Sequence, residues 1–188
     1  MLFFNKIVAK IANYITKRTV KASKSETIDL VVEHELERVT PEMIDWWWDH
    51  IDTTERYKLW HPADHKSFKW EVSPINGHVG AVQLIIEKIG RISTMMRIRW
   101  EDPKSVPIPT IYSHVLAGSI INKNNTPYSW LVHEYEKILT GARIKSTFRL
   151  PAKTPQWFLK ALRKHNIEEI NQFQEFLPSL FEKNKNGG

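Results

Sequence analysis

The spacing of apolar residues changes period along the chain, and the changes mark the elements. From Pro155 to about Leu177, Phe158, Leu162, Phe173 and Phe176 advance by helical steps, which predicts one long amphipathic helix. Thr154 stands where a cap belongs, and Pro155 suits a first helical position. Upstream the period is two. Thr27 to Glu35, His78 to Ile89, Thr94 to Trp100, Ile111 to Asn122, Tyr128 to Ile138 and Ala142 to Leu150 all read as strands. Two short helices separate the first strand from the rest. One opens at Thr40-Pro41-Glu42, carries Met43, Trp46, Trp47 and Trp48, and ends near His50. The other runs from Asp52 to Leu59, with Asp52 and Glu55 spaced as a capping box. The loop Trp60 to His65 follows it.

This order, one strand, two helices, a run of strands and a long final helix, implies an α+β fold. A curved antiparallel sheet wrapped around the terminal helix would bury that helix's stripe and leave a cavity between the two layers. Residues 27–182 then form one domain, and the Asn/Lys/Gly-rich residues 183–188 are expected to be disordered. Residues 1–26 stand apart. There Phe3, Phe4, Ile7, Ile11, Tyr14 and Ile15 recur at helical spacing with lysines between them, a basic amphipathic helix. Its apolar runs are too short to span a bilayer, and it lacks the continuous apolar stretch and cleavage site of a secretory signal. Two uses stay open for it: packing on the domain as an arm, or peripheral contact with a membrane surface.

Several polar residues sit where the apolar pattern calls for core. His165 and Glu169 fall on the stripe of the last helix, four residues apart, so they project as neighbours. A carboxylate facing the core is costly unless it is paired or binds a metal. Both a hydrogen-bonded His–Glu pair and a two-ligand metal motif satisfy that requirement. His133 shares a strand face with Leu131 and Tyr135, and an inward histidine is either a hydrogen-bonded core residue or a donor to a ligand. Glu87 lies with Gln83 and Ile85, on a face that alternation alone does not orient. His61 and His65 bracket the loop after the second helix.

Composition narrows the chemistry. The chain has no cysteine, which removes disulfides, thiol nucleophiles and thiolate zinc sites. Any metal must be held by His, Asp and Glu, and such a set suits zinc or another first-row divalent ion. The net charge of +6 owes much to the first 24 residues, where Lys6, Lys10, Lys17, Arg18, Lys21 and Lys24 face no acid. No basic stripe with interleaved aromatics runs through the rest, so nucleic acid is not an expected partner. The expected location is cytoplasmic, with peripheral membrane contact and a homodimer left open.

Four stretches carry a family resemblance: TPEMIDWWWDHIDTTERYKLWHPADHKSFKWE, IIEKIG, WLVHEYEKILTGARIKSTFRLP and RKHNIEEINQFQEFLPSLF. Together they span about Val39 to Phe181, and in them the chain resembles the 2,4-diacetylphloroglucinol hydrolases and their short bacterial relatives. The resemblance implies a START-like helix-grip fold and a zinc site (Zn2+) made by His65, Glu87, His165 and Glu169. It implies His133 and Tyr57 as the catalytic residues, Tyr57 near the substrate and His133 bonded to an aryl ketone or its phenol. Trp46, Trp47, Phe68 and Phe148 would contact or enclose the ring. The implied activity is zinc-dependent hydrolysis of a carbon–carbon bond between an acyl group and a phenolic ring, with an aromatic ketone as substrate. Two positions depart from the pattern: Phe68 stands where a polar contact is expected, and Phe148 where a tyrosine is expected. They favour the alternative, a non-catalytic START-like carrier of an apolar or aromatic molecule. A metal-free aromatase/cyclase-like enzyme is a third reading.

Overall fold

The computed structural model describes residues 14–185, so the start of the predicted amphipathic helix and the last three residues lie outside the described residues. A helical segment at 14–23 leads into β1 (Thr27–Glu37). Two short helices follow, α1 (Pro41–His50) and α2 (Thr54–Trp60). The chain then forms β2 (His65–Val72), β3 (Val82–Ile89), β4 (Ile92–Glu101), β5 (His114–Ile121), β6 (Pro127–Ile138) and β7 (Gly141–Pro151), and ends in α3 (Gln156–Lys185). All seven strands form one antiparallel sheet in the order β1-β7-β6-β5-β4-β3-β2. Thus α1 and α2 carry the chain from one sheet edge to the other. The helix α3 packs against β1, β3, α1 and α2. This is the α+β helix-grip arrangement, a curved sheet around a long C-terminal helix. Among the described residues no helix is long and apolar enough to cross a membrane.

Alternation explains which face each strand buries. In β1, Leu30, Val32, His34 and Leu36 are buried while their neighbours are exposed. The register sets Leu30 beside Phe148 and Val32 beside Ser146. In β3, Gln83, Ile85, Glu87 and Ile89 are all buried, which settles the orientation of Glu87 as inward. The turn from β6 to β7 brings Gly141 against β1. A Cβ there would lie 2.1 Å from the Leu36 carbonyl oxygen, so no other residue fits without moving backbone.

The predicted elements differ from the observed ones for identifiable reasons. β2 was read only as the end of a loop. A register shift between His65 and Ser67 breaks its period, so its buried residues His65 and Phe68 are three apart rather than two. β3 starts at Val82 rather than His78, because Asn76, Gly77 and Gly80 take positive φ and turn the chain. β5 starts at His114 rather than Ile111. The backbone N–H groups of Ile111 and Tyr112 donate to the buried Glu134 carboxylate instead of to a strand. Thr53, not Asp52, caps α2 by accepting from Arg56 N–H. Thr154 donates its hydroxyl to the Pro151 carbonyl and does not cap α3, which begins one residue after Pro155. The helix runs on through Pro178 to Lys185, so residues 183–185 of the expected disordered tail are helical.

Aromatic rings join α3 to the crossover helices. Phe173 is fully buried, with Trp60 stacked on it at 5.7 Å and with Trp47 and Trp48 edge-on at 6.2 and 6.0 Å. Of the three consecutive tryptophans, Trp47 and Trp48 are therefore core, while Trp46 stacks on His50 at 4.3 Å and meets the edge of Phe181. Removing the Phe173 ring leaves a cavity among residues that cannot easily collapse. Phe173→Ala should cost about 3–5 kcal/mol in equilibrium denaturant unfolding. A loss below about 1 kcal/mol would mean that the ring is not part of the packed core.

Candidate metal centre

His65 opens β2 and stands directly across from Glu87 of β3 in the sheet register. His165 and Glu169 occupy successive turns of α3, which lays them over the same strand ends. Nδ1 of His65 donates to the Tyr57 carbonyl at 2.9 Å, which leaves the lone pair of the neutral ring on Nε2. That atom lies 3.6 Å from Glu87 Oε1 and 3.5 Å from Glu169 Oε2. His165 Nε2 lies 3.8 Å from Glu87 Oε2 and 3.7 Å from Glu169 Oε2. Both Nε2 atoms are buried and make no hydrogen bond.

These spacings test whether a metal fits. Ligand atoms about 2.0–2.2 Å from a tetrahedral ion lie roughly 3.3–3.6 Å from one another. The four contacts above fall at or slightly beyond that range, too long for good hydrogen bonds. Ligand atoms of His65, Glu87 and His165 all lie within 4.8 Å of one another. Two imidazole nitrogens and two carboxylates form a hard-to-borderline donor set that suits a divalent first-row ion. The buried His and Glu side chains can therefore hold a metal ion.

Electrostatics agree. Burial would raise the Glu169 carboxyl, but the imidazoles of His65, His165 and His133 outweigh it and hold its pKa down at about 2. Burial also opposes a charge on His65, yet the carboxylates of Glu169 and Glu87 prevail and raise its pKa. Both shifts report that the buried carboxylates attract positive charge to this point, a proton on His65 or a bound cation.

A second layer orients these groups. The Tyr57 hydroxyl donates to Glu87, and the Tyr57 ring stacks on His65 at 4.0 Å. Burial and the Glu87 charge push the Tyr57 phenol well up. Glu169 Oε1 accepts from Asn166 Nδ2 at 2.9 Å, and Asn166 Oδ1 lies 3.0 Å from His34 Nε2. His34 and Asn166 were not singled out from the sequence. Their only signal there was a polar residue on an otherwise apolar face.

A neighbouring group, His61, Asp64 and His165, also brings ligand atoms close together. One hydrogen bond sets the tautomer of its His61. Asp64 N–H donates to His61 Nδ1 at 3.3 Å, so the neutral ring carries its proton on Nε2 and has no lone pair there for a metal. Asp64 Oδ2 faces His165 Nδ1 at 3.6 Å, which favours the tautomer that leaves His165 Nε2 free. His61 itself stacks on His165 at 4.6 Å.

Beside the His/Glu group lies a cavity of ≈170 Å³ between sheet and helix. That is room for at least one aromatic ring. Glu87, His165 and Glu169 reach it, as do His133, Phe148 and the indoles of Trp60 and Trp100. His133 is buried with Nδ1 2.8 Å from Ser146 Oγ and its ring stacked on Trp48 at 5.8 Å. Phe68, Trp46 and Trp47 do not line the cavity: Phe68 packs against Tyr57 and Trp70, and the two tryptophans serve the packing described above. Tyr57 is also outside it, with its hydroxyl on Glu87 rather than facing a ligand.

Fold and site together define a helix-grip domain whose buried imidazole–carboxylate group opens into an apolar cavity. The chain belongs to the DAPG hydrolase PhiG domain family, whose match covers residues 27–156. His165 and Glu169 lie beyond that match and are brought to the site by the fold. Among solved structures, Ara h 8.0201 is similar with a TM-score of 0.56 and 13% identity, covering 82% of this chain and 99% of that one. Protein NE0264 from Nitrosomonas europaea has a TM-score of 0.55 and 15% identity, covering 82% and 97%. At such identities the likeness is one of fold alone. No curated protein sequence matches the chain at a significant level.

Burial lowers the His133 imidazole from 6.5 to about 4, with the Glu169 charge opposing the shift and His34 adding to it. The unfolded chain therefore takes up this proton first as pH falls. Stability from this group is complete above about pH 6.5 and is lost as pH drops through about 4, a loss of ~3 kcal/mol. The loss between pH 7 and 4 should be smaller by that order in His133→Gln, measured by denaturant unfolding. An identical pH dependence in both proteins would exclude a buried neutral His133.

Proposed function

We propose that this protein is a zinc-dependent hydrolase that cleaves the carbon–carbon bond between an acyl group and a phenolic ring. The observation that carries this reading is the convergence of two buried, unpartnered Nε2 atoms and two carboxylates at 3.5–3.8 Å, beside a ring-sized cavity. Family membership supports the hydrolase class.

In this reading His65, Glu87, His165 and Glu169 hold the ion. A divalent ion in that set supplies a Lewis acid and brings the acidity of water toward neutral pH. Tyr57 and Asn166 are positioning residues, since each holds a carboxylate of the set and neither lines the cavity. His133 is the catalytic donor to the substrate. When Ser146 donates to Nδ1, the Nε2 proton of the neutral ring is free to bond a ring oxygen of the phenol. Trp60, Trp100 and Phe148 enclose the ring and exclude water. In the overall reaction one water is consumed. Its oxygen joins the acyl carbon, its proton goes to the ring carbon, and the bond between them breaks. The products are a carboxylic acid and the deacylated phenol.

Phe148 in the cavity wall favours a second reading, a carrier that binds the same ligands without turnover. Elemental analysis and assay separate the two. The purified protein should contain about one zinc, or another divalent ion, per chain. It should hydrolyse monoacylated and diacylated phloroglucinols and lose that activity in chelator. Replacement of an outer-layer partner typically costs 10–100-fold in metal affinity, so His165→Ala should cost more than about a hundredfold. Unchanged zinc binding in His165→Ala overturns the ligand assignment. Stoichiometric ligand binding with no turnover selects the carrier.

A further inference from the structure

The family match begins at residue 27, yet the cavity has a wall that precedes it. Ile15, Thr16 and Thr19, from the helical segment 14–23, line the same cavity as Glu87, His165 and Glu169. In this segment Ile15, Thr16, Thr19, Val20 and Ser23 are wholly or partly buried, whereas Tyr14, Lys17, Arg18, Lys21 and Ala22 are exposed. The buried set recurs at steps of one, three and four, a single helix face. The basic residues take the other face, so burial of the inward face leaves the charges in water.

Three bonds fix where this segment sits. The Lys153 N–H donates to Ser23 Oγ at 2.9 Å, Ser23 Oγ donates to the Thr19 carbonyl at 2.8 Å, and Ala152 N–H donates to the Glu26 carbonyl at 2.9 Å. Lys24 and Ser25 take left-handed φ of 48° and 68°, which ends the helix and turns the chain into β1. The anchor is therefore the loop between β7 and α3. At this end of the sheet β6 begins, β7 finishes, and Tyr128 and Trp157 complete the wall. Along α3, Phe158 at this end is on the order of 16 Å from Glu169. The cavity thus extends from the His/Glu group toward a boundary made by the N-terminal segment.

We infer that segment 14–23 is part of the ligand site and that Ile15, Thr16 and Thr19 set the length of the apolar substituent the cavity accepts. The inference rests on reading the cavity as the site for an acylated phenol, but its test does not need turnover. If His133 and an ion held by the His/Glu group bind the polar end of the ligand, an alkyl chain on its ketone or ring must run toward this wall. Each methylene too many for a closed apolar pocket costs about tenfold or more.

The test uses the full chain and a homologous series of 4-hydroxyphenyl alkyl ketones, from acetyl to octanoyl. Binding is read by quenching of tryptophan fluorescence, since Trp60, Trp100, Trp130 and Trp157 all line the cavity. Thr19→Phe should weaken the longest members about tenfold and leave the acetyl member within about twofold. Ile15→Ala should move the preferred length up by one or two carbons. Lys21→Ala, on the outward face, should change nothing. Opposite shifts from the filling and the enlarging variant cannot arise from general unfolding. Equal effects on every member, no effect from either variant, or no binding of the series to the wild type overturns the inference. Chain-length shifts without hydrolysis by any protein in the set uphold it while sinking the hydrolase reading.

Discussion

Burying Glu87 and Glu169 is the constraint on which the arrangement depends. A carboxylate moved from water into a protein interior loses hydration worth several kcal/mol or more. Glu87 and Glu169 come from a central part of the chain and from the last helix, and neither strand β3 nor helix α3 could bury its polar residue against an apolar partner. Their stability requires the imidazoles of His65 and His165, and those imidazoles in turn require orientation. The Tyr57 carbonyl orients the His65 ring, while the Tyr57 hydroxyl and Asn166 hold the carboxylates of Glu87 and Glu169. The helix α3 is thus held by two unlike contacts: apolar packing of Phe173 on the crossover helices α1 and α2, and one turn further back a polar knot with the ends of β2 and β3.

The polar knot sits beside a largely apolar cavity wall. Bonds from Tyr57 and Asn166 keep the carboxylates aimed at one point. A cation bound there would neutralise them, and the surrounding indoles would lower the local dielectric and strengthen that attraction. Burial depresses the His133 imidazole and keeps it neutral near pH 7. A neutral ring can donate one hydrogen bond without carrying charge into an apolar wall, which suits a phenolic oxygen better than an ammonium would.

Much of this was legible in the chain. The period of three and four in the last helix, interrupted by His165 and Glu169, announced both a helix and a polar pair facing inward. The alternation of Leu131, His133 and Tyr135 fixed the direction of His133. Other features were hidden for physical reasons. The bulge after His65 erased the period of β2, so a ligand strand looked like a loop. Ile111 and Tyr112 look like strand residues, but a buried carboxylate claims their N–H groups. His34 and Asn166 are 132 positions apart, and a relay between them exists only once β1 and α3 are in contact. Three consecutive tryptophans suggested a ring cage; their side chains in fact fill the junction of α1 with α3 and leave Trp60 and Trp100 to face the cavity.

For the N-terminal segment the sequence left two uses open, packing on the domain as an arm or contact with a membrane surface, and its six basic residues read as a solvated face. In the fold Ile15, Thr16 and Thr19 line the cavity, and Lys17, Arg18 and Lys21 stay on the exposed face. Among the described residues of this segment only Ser23 is fully buried, so residues 14–23 contribute little to global stability. It is therefore free to vary in sequence without unfolding the domain, whereas the His/Glu group is not. On the proposed function, that division would put the chemistry in the family-matched core and its terminal helix. It places the shape of the ligand's far end in a segment that can change independently.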